Sequence, residues 1–379
     1  MEVIERSSEF NAPERGGPRI LAIESSCDET AAAVLDGTRS ALSSAVHTQI
    51  DIHRRFGGVV PELASRSHVV MIDAVVQRAL EESGTTLDEI QGVAVTQGPG
   101  LVGCLLVGLE YARSLAWSRG LPLLPVHHLE GHLFAPFVGL AEGSAEPGFP
   151  FVGLVVSGGH SSLYHCKAPG VYEELGRTLD DAAGEAFDKV SKRLGLGYPG
   201  GALIDKMATR GNAAAFAFAR PMLRSGNWHF SFSGVKTAVA QALSKEEEPL
   251  SDARMCDLAA SFQEAVVDVL VQKTIHAAKT VAVPRIVVTG GVASNSRLRA
   301  RMREEAAEAG IDVVIPPGRL CTDNAAMIGA AGYARLWEAI ERGDGFAGAT
   351  LNARATWPLG RRSALQVPLT RGVRRGPAS

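Results

Sequence analysis

The sequence predicts an α/β fold built from two copies of one unit, with a helical insertion in the second copy. The order of elements carries this expectation: a β-hairpin followed by strand-turn-helix units occurs twice, and a helix-rich stretch interrupts only the second occurrence. Length agrees, because 379 residues leave room for two or three domains at ~100–200 residues each. A cleft between two such halves is the expected place for a ligand.

Residues 1–18 mix Glu2, Glu5, Glu9 and Glu14 with Arg and Pro. They lack the apolar centre of a signal peptide and the acid-poor character of a transit peptide, so they read as a loose leader. The first half, residues 19–148, opens on the apolar run Ile20-Leu21-Ala22-Ile23; residues 24–30 are small and polar, and residues 31–35 are apolar again before Asp36-Gly37, which makes a hairpin. Pro61 stands at a first helical position, Leu63, Val70, Val75, Ala79 and Leu80 follow on one helical stripe, and Gly84 sits just past the end. A strand at Val93-Ala94-Val95, a Gly98-Pro99-Gly100 turn, a helix over 101–119 closed by Gly120 and a strand over 121–126 complete this half.

The second half, residues 149–345, begins with a strand over 151–156, the tight turn Ser157-Gly158-Gly159-His160 and a returning strand over 162–166. The helical insertion occupies about 191–284, and inside it Lys245-Glu246-Glu247-Glu248-Pro249 reads as an exposed loop. A helix over about 256–278, a strand over 285–288 running into Thr289-Gly290-Gly291, a helix from Ser294, a strand over 311–315 and a helix opened by Asp323 follow. Residues 346–379 are mostly irregular and basic, with Arg361, Arg362, Arg371, Arg374 and Arg375. They read as a loose tail, with contact to RNA phosphates as the alternative.

Composition excludes several classes. Hydrophobic residues at 46% and charged residues at 21% are ordinary soluble usage, and no apolar stretch reaches the ~18 residues a membrane span needs. Cys27, Cys104, Cys166, Cys256 and Cys321 have no paired spacing, which argues against a disulfide framework or a thiolate zinc site and fits a reducing, cytoplasmic compartment. A net charge of −3 argues against binding nucleic acid by bulk positive charge, so such a role needs a local patch or a partner.

The sharpest local feature is His128-Leu129-Glu130-Gly131-His132. On a helix, imidazoles four residues apart share a face and can bind one metal ion, but they need a carboxylate from elsewhere; without one, the pair caps or packs a helix end. Glu130 falls nearly opposite the histidines, whereas the zinc-protease signature places its Glu directly after the first His. Asp323 stands at a helix entry, where it is either an N-cap or the missing ligand of a two-His, one-carboxylate set with open coordination positions. Ser157-Gly158-Gly159 lies between two strands and lets backbone N–H groups approach a phosphate; Gly290-Gly291 is a strand-to-helix turn, a second place for phosphate or ribose, and a plain turn is the alternative for each. Gly98 to Gly103 matches G-x-G-x-x-G in letters, yet Pro99 removes a donor and no acid ends the next strand, which argues against a dinucleotide site. Asp181, Glu185 and Asp188 share one helical face, solvated or directed at ribose hydroxyls, and the run Arg297, Arg299, Arg301, Arg303 reads as solvated helix surface.

Taken together, Ile23-Glu24-Ser25-Ser26-Cys27-Asp28-Glu29-Thr30, the segment from Gly57 to Arg66, the HLEGH string, Val156-Ser157-Gly158-Gly159-His160, the segment from Asp180 to Lys189, Tyr198-Pro199-Gly200-Gly201, Phe232-Ser233-Gly234-Val235-Lys236-Thr237 and Thr322-Asp323-Asn324-Ala325-Ala326-Met327 resemble the TsaD family of tRNA N6-adenosine threonylcarbamoyltransferases over about residues 19–340. The resemblance implies an actin, heat-shock-70 and sugar-kinase type (ASKHA) fold. It implies transfer of a threonylcarbamoyl group from threonylcarbamoyl-AMP to N6 of adenosine 37, just 3′ of the anticodon, in tRNAs reading codons that begin with A. It implies a divalent metal, iron with zinc as the alternative, on His128, His132 and Asp323. It also implies an adenylate site at Val155, Val156, Ser157, Gly158, Gly159, Asp188, Gly201, Asp205 and Asn295. Implied partners are tRNA, a TsaB-like paralogue and a TsaE-like ATPase, with a separate TsaC enzyme making the adenylate. Asp28 or Glu29 is expected to play a polar role at the cleft, and nothing in the sequence fixes a general base. The competing expectations are an ATP-dependent, sugar kinase-like phosphotransferase of the same fold, a metalloprotease and a scaffold without catalysis.

Overall fold

Two mixed sheets repeat one strand order. In the computed structural model, which describes residues 17–37, 40–138, 148–246, 250–342 and 351–362, the first sheet holds β1 (Arg19–Glu24), β2 (Glu29–Asp36), β3 (Ser40–Thr48), β4 (Ile90–Gly98) and β5 (Leu123–His127) in the order β3-β2-β1-β4-β5. The second holds β6 (Phe151–Val156), β7 (Ser161–Ala168), β8 (Val171–Arg177), β9 (Arg285–Thr289), β10 (Asp312–Val314) and the short β11 (Arg361–Arg362) in the order β10-β9-β6-β7-β8-β11. Apart from β11, the orders correspond strand for strand. So do the senses: the first three strands of each sheet pair antiparallel, and the two that follow crossovers pair parallel. This is the duplicated α/β architecture that the element order implies.

Strands β3 and β8 were not anticipated. Both lie outside their hairpins: β3 is buried at alternate positions toward its end and β8 carries Glu173 and Glu174, so Ser-Ala-Leu-Ser-Ser-Ala-Val-His-Thr and Val-Tyr-Glu-Glu-Leu-Gly-Arg lack the continuous apolar runs of the central strands. Strand β1 is the opposite case: Leu21 and Ile23 pack toward one layer and Ile20 and Ala22 toward another, so all four of these positions are apolar.

The layer on Leu21 and Ile23 comes from α2 (Pro61–Ser83) and α3 (Val102–Arg119), which follow a short α1 (Ile50–Arg54). As the sequence suggests, Pro61 starts α2, and Gly84 and Gly120, at φ 60° and 62°, close α2 and α3 in the left-handed region. The layer on Ile20 and Ala22 contains α4 (His128–Phe134). The second sheet is covered by α5 (Ala183–Arg193), α6 (Gly200–Ala208), α7 (Ser233–Leu243), the buried α8 (Asp252–Thr280) and α9 (Ser296–Glu308). Residues 209–232 of the expected helical insertion form turns and one bridge, Thr178 to Phe230, instead of a helix.

After the one-turn α10 (Gly318–Cys321), α11 (Ala325–Arg342) crosses back: although it follows the second sheet in sequence, it packs on β1, β2, β4 and α4. Residues 351–360 run from the first sheet, where Arg354 N donates to the Gln97 carbonyl, to β8 of the second, where Gly360 packs against Tyr172. The charged loop at 247–249, residues 1–16, and Arg371, Arg374 and Arg375 lie outside the described residues.

Candidate metal centre and ligand cradle

The return of α11 onto α4 builds the site. Gly131 is required there by close approach, since a Cβ on it would stand 2.7 Å from Ile328 Cδ1 of α11. The packing brings Asp323, just before α11, to His128 and His132 on α4: Asp323 Oδ1 lies 3.6 Å from His128 Nε2 and 3.1 Å from His132 Nε2, and one ligand atom from each residue falls within 4.8 Å of the others. Asp323 is not the helix cap; that role belongs to Asn324, whose Oδ1 accepts from Met327 N at 3.0 Å. The Asp323 carboxylate is thereby free to face the histidines.

The cluster fits a divalent cation. His132 is fully buried and neither of its ring nitrogens has an aligned hydrogen-bond partner; a metal bond at Nε2, the nitrogen facing Asp323, would give that atom one. Fully buried Glu24 approaches His128 Nδ1 with Oε2 at 3.0 Å and accepts from Thr96 Oγ1 at 2.7 Å, which orients Nε2 toward Asp323, the outer-carboxylate arrangement typical of metal-binding histidines. Burial alone would raise the Glu24 and Asp323 carboxyls, but His128 holds both below the ordinary range, joined at Asp323 by His132. Burial would lower His128, and Glu24 and Asp323 overcome it, pushing that imidazole up to about 9. The negative field that favours a proton here equally favours a metal in its place.

Glu130 points elsewhere. Arg335 Nη2 reaches its Oε2 at 2.6 Å and Tyr172 Oη donates to its Oε1 at 3.0 Å, so it ties α4 to α11 and β8 and is not free to activate a metal-bound water. That geometry removes the protease expectation.

Beside the cluster, His160 lies 6.4 Å from His128 between ring centroids and ends the turn between β6 and β7. Burial, with the neighbouring histidines, pushes it down to about 3, so it is neutral. Val155 and Val156 are fully buried at the end of β6, while Gly158 and Gly159 are exposed and a Cβ on either would meet nothing within 4 Å. Gly290, at φ 94°, backs onto the same place: a Cβ on it would stand 2.3 Å from the Val156 carbonyl oxygen. The two glycine turns read from the sequence therefore meet at one end of the sheet.

Around them, Asp188 Oδ1 accepts from Gly200 N at 2.7 Å, and Gly201 follows with open space at its α-carbon. Burial raises Asp188 to about 6 against the Gly200 hydrogen bond, and the charge of Asp28 in the first hairpin turn adds to the rise. Burial also raises Glu29, with Asp28 and Asp323 contributing. Asp205 accepts from Ser296 N and Oγ at 3.0 and 2.8 Å. Asn295 is engaged at both ends, capping α9 at Leu298 N and donating to Gln263 Oε1 at 2.7 Å.

Two expectations about surface charge are corrected. Asp181 precedes α5 and binds Lys189 and Lys236, so it shares no helical face with Glu185 and Asp188. The arginine run is not merely solvated: Arg297 and Arg301 bind Glu264, Arg301 also binds Asp268, and Arg299 donates to the Ala293 and Pro316 carbonyls. Glu24 and His160 are neighbours of the cluster to which the sequence reading gave no role; for Glu24 the available signal was a carboxylate ending the apolar run Ile20 to Ile23.

The family model for TsaD, tRNA N6-adenosine threonylcarbamoyltransferase, matches residues 40–330. A protein of that name from Syntrophotalea carbinolica is 51% identical over 340 residues, covering 90% of this chain and 96% of the relative. One from Anaeromyxobacter dehalogenans is 55% identical over 342 residues, covering 90% and 99%. Among solved structures, component A of the Acidaminococcus fermentans (R)-2-hydroxyglutaryl-CoA dehydratase matches with a TM-score of 0.50 at 15% identity, over 85% of this chain and 100% of that one. HypF from T. kodakarensis matches with a TM-score of 0.54 at 13% identity, over 90% and 49%. These structural likenesses show the ASKHA fold alone. The family model over residues 40–330 and relatives 51–55% identical over 90% of the chain show that it belongs to the TsaD family of tRNA N6-adenosine threonylcarbamoyltransferases.

Proposed function

We propose that this chain transfers the threonylcarbamoyl group from threonylcarbamoyl-AMP to N6 of adenosine 37 in tRNAs reading codons that begin with A. The N6 amine attacks the carbamoyl carbon, the bond from that carbon to the phosphate oxygen breaks, AMP leaves with the electron pair, and the amine loses a proton. The observation that carries this reading is the cluster of buried His128 and His132 with half-buried Asp323 beside the open Ser157-Gly158-Gly159 turn, in a chain of this family.

A divalent ion on those three residues, iron in our reading and zinc as the alternative, would supply Lewis-acid polarisation of a substrate oxygen. The turn from Val155 to Gly159 offers backbone donors to the adenylate phosphate, which makes AMP a better leaving group. Asp188, Gly201 and Asp205 line the rest of that subsite, and Asn295 acts there through the turn it holds. Adenine N6 is a weak nucleophile, so positioning it against the carbamoyl carbon supplies much of the acceleration.

In this reading residues 19–148 and 149–345 are the two halves, and the chain works in the cytoplasm with tRNA, a TsaB-like paralogue and a TsaE-like ATPase. Among the described residues no helix is long and apolar enough to cross a membrane. The test is mass spectrometry of tRNA nucleosides from cells depleted of their own transferase and complemented with wild type or His128→Ala. Threonylcarbamoyladenosine restored by wild type only is the expected result. Restoration by His128→Ala would remove the ligand assignment, and failure of soluble wild type with its partners present would favour the kinase-like phosphotransferase.

A further inference from the structure

We propose that residues 351–362 are a strap that sets the position of the metal-binding helix α4, with His127 as the positioning residue that couples them. This rests on the metal reading above and concerns residues outside the ligand set.

The strap is bound along its whole described length. Arg113 donates to the Leu351 carbonyl, Gln97 Nε2 donates to the Asn352 carbonyl at 2.8 Å, and Arg354 N donates back to the Gln97 carbonyl at 2.9 Å. Gly100 N donates to the Ala355 carbonyl at 3.3 Å, Leu359 is buried in the core shared by α4 and α11, and β11 pairs with β8 of the second sheet. The strap thus runs from the first sheet to the edge of the second, passing over the start of α4.

His127 is the point of contact. Its Nδ1 accepts from Leu129 N at 3.1 Å and so caps α4, while its Nε2 lies 2.8 Å from the Trp357 carbonyl oxygen. These partners fix one tautomer, since a carbonyl requires a donor and an N–H requires an acceptor. The ring also packs against the Trp357 indole at 4.7 Å, and Arg354 lies over that indole at 4.7 Å. His127 directly precedes His128, so a shift of the strap is carried to the first ligand of the cluster within one residue. Supporting groups one step removed from a metal ligand commonly change metal affinity by about 10–100-fold.

Two near-isosteric variants separate the capping bond from the strap bond. His127→Asn keeps the Nδ1-like acceptor and the cap but cannot reach Trp357; His127→Gln keeps the Nε2-like donor and sacrifices the cap. Each full-length protein is loaded with cobalt(II), and the visible absorption bands, the rate of cobalt loss to a chelator and the melting temperature are recorded. The expected result is altered bands and about tenfold faster loss for His127→Asn, as for a chain ending at residue 350, and bands near wild type for His127→Gln with a lower melting temperature. The reverse pattern, or unchanged bands and loss rate in both His127→Asn and the shortened chain while these remain folded by circular dichroism, overturns the proposal. Wild type that takes up no cobalt at all overturns the metal reading and this proposal together, which distinguishes the two failures.

Discussion

The two hairpin turns occupy equivalent places in the duplicated fold and have opposite chemistry. In the first half, the turn after β1 is buried and rich in side-chain function: Ser25 Oγ donates to the Cys104 carbonyl at 2.9 Å, Ser26 Oγ sits 3.2 Å from His128 Nδ1, and Glu24 stands beside the same ring. In the second half, the turn after β6 is stripped to Ser157-Gly158-Gly159, with open space beside both glycines. The crossover turns differ in the same way. Gly98 at the end of β4 lies against the Arg354 carbonyl of the strap, whereas Gly291 after β9 has nothing within 4 Å of a built Cβ. Of the two equivalent turns, the first is filled by polar side chains and backed by the strap beside the His128, His132 and Asp323 cluster, whereas the second keeps open space at Gly158 and Gly159.

The largest expected effect breaks the open cradle. Gly290→Ala places a side chain at a left-handed φ of 94° and 2.3 Å from the Val156 carbonyl oxygen, and it should cost about 2–3 kcal/mol by denaturant unfolding. Gly291→Ala, whose Cβ meets nothing, should fall within about 0.5 kcal/mol of wild type. Similar losses in both would show that the turn is not the close crossing described.

Next in size is Glu24→Gln, which tests the filled cradle. A carboxamide cannot accept at both oxygens from Ser26 N, Thr96 and the His128 ring as Glu24 does. Metal affinity, measured by chelator competition, should fall about 10–100-fold with the fold retained. Unchanged affinity would mean that the first turn supports packing and not the metal.

Much of this was legible in the sequence because it is local. Pro61 and Gly84 bound α2 by backbone chemistry, the two histidines lie four residues apart, and β1 and β6 announce themselves by burial on both faces. What stayed hidden depends on distant partners. Glu24 meets His128 across 104 residues, and Arg113 meets Leu351 across 238. The arginines of α9 look solvated until Glu264 and Asp268 of α8 are placed beside them. The return of α11 to the first sheet has no signal in periodicity, since an amphipathic helix does not say which sheet it will cover; from its own residues the sequence left Asp323 open between a helix cap and the third ligand, and only the resemblance favoured the second.

The smallest effect separates two carboxylates, the buried Glu24 of the first half and the half-buried Asp188 of the second. Glu24 is held ionised by His128 and Thr96, whereas Asp188 has no cationic partner among its influences and is raised to about 6, first by burial and then by Asp28 and Glu185, against the Gly200 hydrogen bond. In the unfolded chain Asp188 titrates near the ordinary value of about 4. Between about pH 4 and pH 6 the folded state therefore holds more protons than the unfolded state, so this group's contribution to stability is full below that window and is lost as pH rises through it. Asp188→Asn keeps an oxygen to accept from Gly200 N and removes the charge. It should stabilise the protein by about 1–2 kcal/mol at pH 7.5, after allowance for solvent screening, with no gain at pH 4. Binding of the adenylate should weaken in the same variant, because the open cradle then has stability at the expense of a polar ligand contact. A stability gain that persists unchanged at pH 4 would show that the effect is not electrostatic, and the contrast between the two carboxylates would then lie in packing alone.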